Sequence, residues 1–144
     1  MKILFLCSGA SSCRSLIAKT VLESFDEDLE VFAAGTEPVV NLDPLPFEVM
    51  KSVGFIMDRQ QIRTVAELAP LSFDYVITVC EGTKEEFDSF SFSYRKKLHL
   101  GFTDPGKVTG DQVKETEAYL RFIEEVKTEL DYFYHRILKG KAAH

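Results

Sequence analysis

"KILFLCSGASSCRSLIAKTVLESF", residues 2–25, changes character twice. KILFLC is a short apolar run that ends at a cluster of small polar residues, the pattern of a buried strand. From Arg14 onward a helical period sets in, with Ile17, Val21 and Phe25 four apart and Leu22 beside them. Ser12 and Ser15 offer capping hydroxyls at its start. A strand that feeds a helix through a glycine-containing loop is the opening unit of an α/β fold.

The rest of the chain repeats the alternation. LEVFAAG, residues 29–35, reads as a second strand, and TEPVVNLDP as a turn-rich loop. Leu45, Val49, Met50 and Val53 mark a helix that stops at Gly54. FDYVITVC, residues 73–80, is a third strand rich in β-branched residues and ending on Cys80. KEEFDSF reads as a short helix and KKLHL, residues 96–100, as a fourth strand. The loop FTDPGKVTGD follows, with Asp111 placed to cap a last helix. That helix carries Val113, Leu120, Ile123, Val126, Leu130, Phe133 and Ile137 at steps near three and four. The terminal KGKAAH is expected to fray. No repeat or linker interrupts the pattern, so residues 1–144 are expected to form one domain with a parallel sheet covered on both faces.

Composition narrows the function classes. The chain has 144 residues, 45% hydrophobic and 28% charged, which fits a globular domain. A net charge of −6 argues against a nucleic-acid surface, which needs a basic face. MKILFLC is too short for an export signal or a membrane span, so no membrane partner and a cytoplasmic location are expected. Three cysteines, Cys7, Cys13 and Cys80, do not suggest a structural disulfide framework. Nothing in the sequence calls for a metal or another cofactor.

Chemistry concentrates at the ends of the strands. In open parallel sheets ligands bind beyond the carboxyl ends, where Cys7, Cys80 and the loop after KKLHL all fall. Ser8, Gly9, Ala10, Ser11, Ser12 and Cys13 separate Cys7 from Arg14. Small residues there allow the backbone to curl and turn its N–H groups inward, a nest that attracts anions at a helix N-terminus. Arg14 adds a planar fork suited to two oxygens of a tetrahedral oxyanion. The same positive field is expected to lower the pKa of Cys7 and favour the nucleophilic thiolate, with Ser15 as a hydrogen-bond donor to it. A plain strand-to-helix turn is the competing reading of the loop. An Asp-Pro pair such as Asp104–Pro105 can serve as a simple turn initiator.

Taken together, "ILFLCSGASSCRS", "AAGTEP", "PLPFEVMKSVGF", "FDYVITVC" and "HLGFTDPGKVTGD" resemble the low-molecular-weight protein tyrosine phosphatases and thioredoxin-coupled arsenate reductases. The resemblance covers nearly the whole chain. It implies a four-stranded parallel sheet in the order 2-1-3-4, with Cys7 as nucleophile, Arg14 as oxyanion clamp and Asp104 as general acid. Residues 8–15 would bind the oxyanion. Cys80 stands where the reductase branch has its second thiol. The implied ligands are arsenate, phosphate or a phosphomonoester, with thioredoxin or a small thiol as reductant.

The sequence also departs from the family pattern. The family loop has five residues between cysteine and arginine, whereas this one has six, and its usual asparagine is replaced by Ala10 or Ser11. One extra residue adds up to about 3.5 Å of chain. Phe87 stands where the reductases commonly have a third cysteine, and Lys19 where they are commonly acidic. Three readings therefore stay open: a reductase, a phosphatase, or an oxyanion-binding or regulatory protein with weakened catalysis.

Overall fold

A computed structural model describes residues 1–7, 13–35, 44–58, 62–79, 93–102, 105 and 110–138, with the backbone alone at residue 13. The apolar run at the start forms β1 (Lys2–Cys7). It is followed by α1 (Cys13–Glu23) and β2 (Glu30–Gly35). Next come α2 (Leu45–Ser52), a short β3 (Ile62–Thr64) and the single-turn α3 (Val65–Leu68). β4 (Ser72–Thr78) and β5 (Ser93–His99) complete the sheet. The last helix, α4 (Gln112–Tyr132), runs on into a wider π-helical turn, Phe133–Leu138.

The sheet has five parallel strands in the order β3-β2-β1-β4-β5, not the four expected. The four strands read from the sequence keep their expected relative order, and β3 adds itself outside β2. It pairs Ile62 with Ala33, Arg63 with Ala34 and Thr64 with Gly35. Three residues are too few to show a period of two, and Ile-Arg-Thr offers one apolar side chain, so the sequence pattern could not reveal it. β4 ends at Thr78, and Cys80 lies outside the described residues.

Alternation along β1 divides the core. Ile3, Phe5 and Cys7 face a large cluster with Leu16, Ile17 and Val21 of α1, Val49 and Met50 of α2, and Ile123, Val126 and Leu130 of α4. Leu4 and Leu6 face a smaller cluster with Phe73, Val76 and Leu68 of α3. Helices thus lie on both faces, and β1 is buried on each, which explains its unbroken apolar run from Ile3 to Cys7.

Local signals set the helix ends. Asp111 caps α4 by accepting the Lys114 N–H at 2.9 Å, and Thr64 caps α3 by accepting the Glu67 N–H at 3.3 Å. α2 closes on Gly54 at φ +96°, a left-handed conformation that suits glycine. The Phe55 N–H bonds the Met50 carbonyl at 2.9 Å and the Gly54 N–H bonds the Lys51 carbonyl at 3.1 Å. Those two bonds are a Schellman closure, and Phe55 packs on the same core as Met50. Ser15, expected as a capping hydroxyl, is instead fully buried in the first turn of α1. The expected KEEFDSF helix and the KGKAAH tail lie outside the described residues.

Val113 departs from the expected apolar stripe of α4, being 65% exposed, whereas Leu130 is completely buried. Leu130→Ala is therefore expected to cost about 2–5 kcal/mol in urea unfolding. Val113→Ala should stay within about 0.5 kcal/mol. Comparable losses at both positions would contradict the packing of α4 described above.

Candidate functional site

The carboxyl ends of three strands lie side by side. The Val79 N–H donates to the Leu6 carbonyl at 3.0 Å and the Leu100 N–H to the Thr78 carbonyl at 2.8 Å. These bonds carry the pairing of β1 with β4, and of β4 with β5, past the last paired residues. Cys7 is the final residue of β1, opposite Gly35 of β2 and with no exposed surface.

The sulfur of Cys7 is in a disulfide, whose second sulfur belongs to a side chain outside those described. A disulfide sulfur is neither nucleophilic nor titratable. A free Cys7 thiolate, as the sequence leads one to expect, requires this disulfide to be reduced first.

Arg14 is the second residue of α1 and is half-buried. Its Nη1 donates to the carbonyl of Phe102 at 3.4 Å, joining the start of α1 to the chain that leaves β5. Phe102 is buried, and its ring meets that of Phe122 edge-on, with centroids 5.6 Å apart. Its own N–H bonds the Leu100 carbonyl at 3.0 Å. Pro105 is buried as well, so only Thr103 and Asp104 separate two buried residues. Cys80, Asp104 and residues 8–12 lie outside the described residues.

Two features at this end of the sheet are not legible as motifs. Thr78 is buried, and its Oγ1 lies 2.6 Å from Nδ1 of His99 and 3.4 Å from the Leu98 carbonyl. A hydroxyl has one proton to give. Both contacts are satisfied together when Nδ1–H donates to the hydroxyl and the hydroxyl donates to Leu98, an arrangement that leaves Nε2 as the other ring nitrogen. The only hint in the sequence is a threonine two residues before Cys80 and a histidine at the end of the last strand.

The second feature is the Phe102 carbonyl, which is backbone and so invisible to any side-chain pattern. Lys19, flagged by the sequence, sits on the buried side of α1 with its ammonium 2.7 Å from Oε1 of Glu23. Its methylene stem packs in the core while the charge is paired one turn on, so a cation is tolerated there. Among the described residues no group of three or more His, Cys, Asp or Glu side chains could hold a metal ion. Nor is any helix among them long and apolar enough to cross a membrane.

Several known proteins are similar to this chain in sequence or fold. An arsenate reductase of Halalkalibacterium halodurans is 27% identical over 132 residues, covering 91% of this chain and 93% of its own. One of Bacillus subtilis is 28% identical with the same coverage. A protein tyrosine phosphatase structure from Entamoeba histolytica superposes with a TM-score of 0.75, at 21% identity, covering 98% of this chain and 99% of its own. A structure of an arsenate reductase in its oxidised state gives 0.74 at 19% identity, covering 95% and 99%. The profile of the low molecular weight phosphotyrosine protein phosphatases matches residues 2–141, and with a parallel sheet that ends on Cys7 and an arginine at the head of the next helix, this chain belongs to that family.

Proposed function

We propose that this chain is a thiol-dependent arsenate reductase, a single cytoplasmic domain spanning residues 1–144. The observation that carries the reading is a buried Cys7 at the end of the central strand in a chain that matches arsenate reductases over nine-tenths of its length. A hydrolytic phosphatase needs only the thiolate, whereas a reductase must pass two electrons out through a disulfide.

The chemistry proposed runs in three steps. The Cys7 thiolate attacks arsenic(V), and an oxygen leaves as water, with Arg14 holding two other oxygens and Asp104 supplying a proton. A second thiolate then attacks the Cys7 sulfur. An S–S bond forms, the S–As bond breaks, and its electron pair passes to arsenic, which departs as arsenite. Finally an external dithiol, such as thioredoxin, or two small thiols reduce the disulfide by exchange. Residues 8–13 and Ser15 would line the anion cradle.

Cys80 is proposed as the second thiol. The Val79–Leu6 bond supports it, because the chain at residue 79 runs abreast of the end of β1. Val79 and Cys7 share a core face, so strict alternation would send residue 80 to the other side of the sheet. The pairing requires the chain to turn after β4, which ends at Thr78. Phe87 removes the third thiol of the usual relay, and the external reductant must then act on the Cys7 disulfide itself.

Phosphotyrosine hydrolysis is the second reading, favoured by the family match over residues 2–141. Cys80→Ser separates the two. It should leave hydrolysis of an aryl phosphate nearly intact while abolishing arsenate turnover coupled to thioredoxin. Unchanged arsenate turnover in a Cys13→Ser, Cys80→Ser double variant would exclude the internal disulfide.

Thiol counting gives an independent check. Three cysteines less two in the disulfide leaves one, so the denatured, unreduced chain should show one reactive thiol and the reduced chain three. The extra loop residue can be tested by deleting Ala10 or Ser11. Weaker protection of Cys7 by phosphate after deletion means the six-residue loop is adapted to its anion, and stronger protection means it is impaired.

A further inference from the structure

Arg14 is a long side chain on four rotatable bonds, and a clamp of that kind loses considerable rotamer freedom when it closes on an anion. The structure holds it through one of its contacts, the Nη1 bond to the Phe102 carbonyl. That carbonyl is itself restrained in sequence. The Thr78 carbonyl receives the Leu100 N–H, the Leu100 carbonyl receives the Phe102 N–H, and the Phe102 ring stands edge-on against Phe122 of α4 at 86°. Phe122 is buried in the large core cluster. A continuous chain of restraint therefore runs from β4 and α4 through Phe102 to the guanidinium.

The geometry of arginine gives this bond a specific effect. Nη1 lies on the side of the guanidinium away from the edge formed by Nε–H and Nη2–H, and with Nη1 given to the Phe102 carbonyl that edge is available to two oxygens of a tetrahedral anion. A carbonyl fixed at Nη1 sets the rotation of the whole plane, and with it the direction of the bidentate edge. The same residue also borders the two-residue stretch that contains Asp104 before buried Pro105.

From these contacts we infer that Phe102, seated on Phe122, is a positioning residue that orients Arg14 for oxyanion binding. The inference rests on the reading of Arg14 as the clamp. Pre-ordering the arginine lowers the entropy lost on binding, so the aromatic pair acts on the anion without touching it.

The test uses the full, reduced chain and inorganic phosphate as probe, with protection of Cys7 from iodoacetamide as the readout. Phe102→Leu and Phe122→Leu are each expected to raise the phosphate concentration for half-protection by about tenfold, the scale of one lost charge-assisted hydrogen bond. In an Arg14→Lys background the same changes should add almost nothing. Phe133→Leu supplies the structural control, because it removes an edge-on pair of the same kind, with Tyr75 at 5.3 Å, that makes no bond to Arg14.

An equal loss in Phe133→Leu would overturn the inference, as would an undiminished effect of Phe102→Leu in the Arg14→Lys background. Should Phe102→Leu fail to fold, Phe122→Leu carries the same comparison with the Phe102 side chain intact. If Arg14→Lys alone leaves phosphate protection unchanged, the clamp reading itself fails, and that result is distinct from a failure of the aromatic pair.

Discussion

β1 is hydrogen-bonded on both sides, to β2 over six residue pairs and to β4 over four. Every residue from Ile3 to Cys7 is fully buried. That central ladder fixes where Cys7 stands, since a strand held by both neighbours cannot slip by one residue without breaking both registers and exchanging the side chains that face its two core clusters. The groups proposed to react are placed from its carboxyl end. α1 must start after a short connection, β4 must end abreast of Leu6, and the chain after β5 must return across Arg14. A buried sulfur at the end of such a strand has little freedom, so its reactivity is governed by what the loops bring to it.

Much of this frame is legible in the sequence, for identifiable reasons. KILFLC and FDYVITVC are mostly apolar because their strands are largely buried on both faces, and that is what a central parallel strand looks like. Asp111 reads as a cap because its side chain can satisfy an orphan N–H, and Gly54 reads as a stop because its φ is positive. β3 does not read at all. Three residues hold their place by pairing with Ala33, Ala34 and Gly35, a property of β2 and not of Ile-Arg-Thr. Val113 misreads for the opposite reason, since its spacing fits the stripe of α4 but it falls in the first turn, where the helix projects past the core.

The site divides along the same line. Cys7 and Arg14 announce themselves because thiol and guanidinium chemistry belongs to side chains, and the strand-loop-helix pattern gives their positions. The bond that steadies Arg14 ends on a backbone carbonyl, and every residue carries one of those. Thr78 and His99 are far apart in the chain and meet only because β4 and β5 pair in register, Thr78 opposite His99. Contacts of this kind come from topology, and no local motif encodes them.

The two borders of the sheet have a consequence for how the protein behaves at high concentration. An edge strand presents unpaired N–H and C=O groups that can template another chain. On one side that edge is β3, only three residues long, which offers little to a second copy. On the other it is the seven-residue β5, mostly solvent-facing and carrying Arg95, Lys96 and Lys97 in a row. Two copies meeting through β5 would bring like charges together along the shared ladder. In an otherwise acidic molecule these consecutive cations oppose the pairing of two copies along β5.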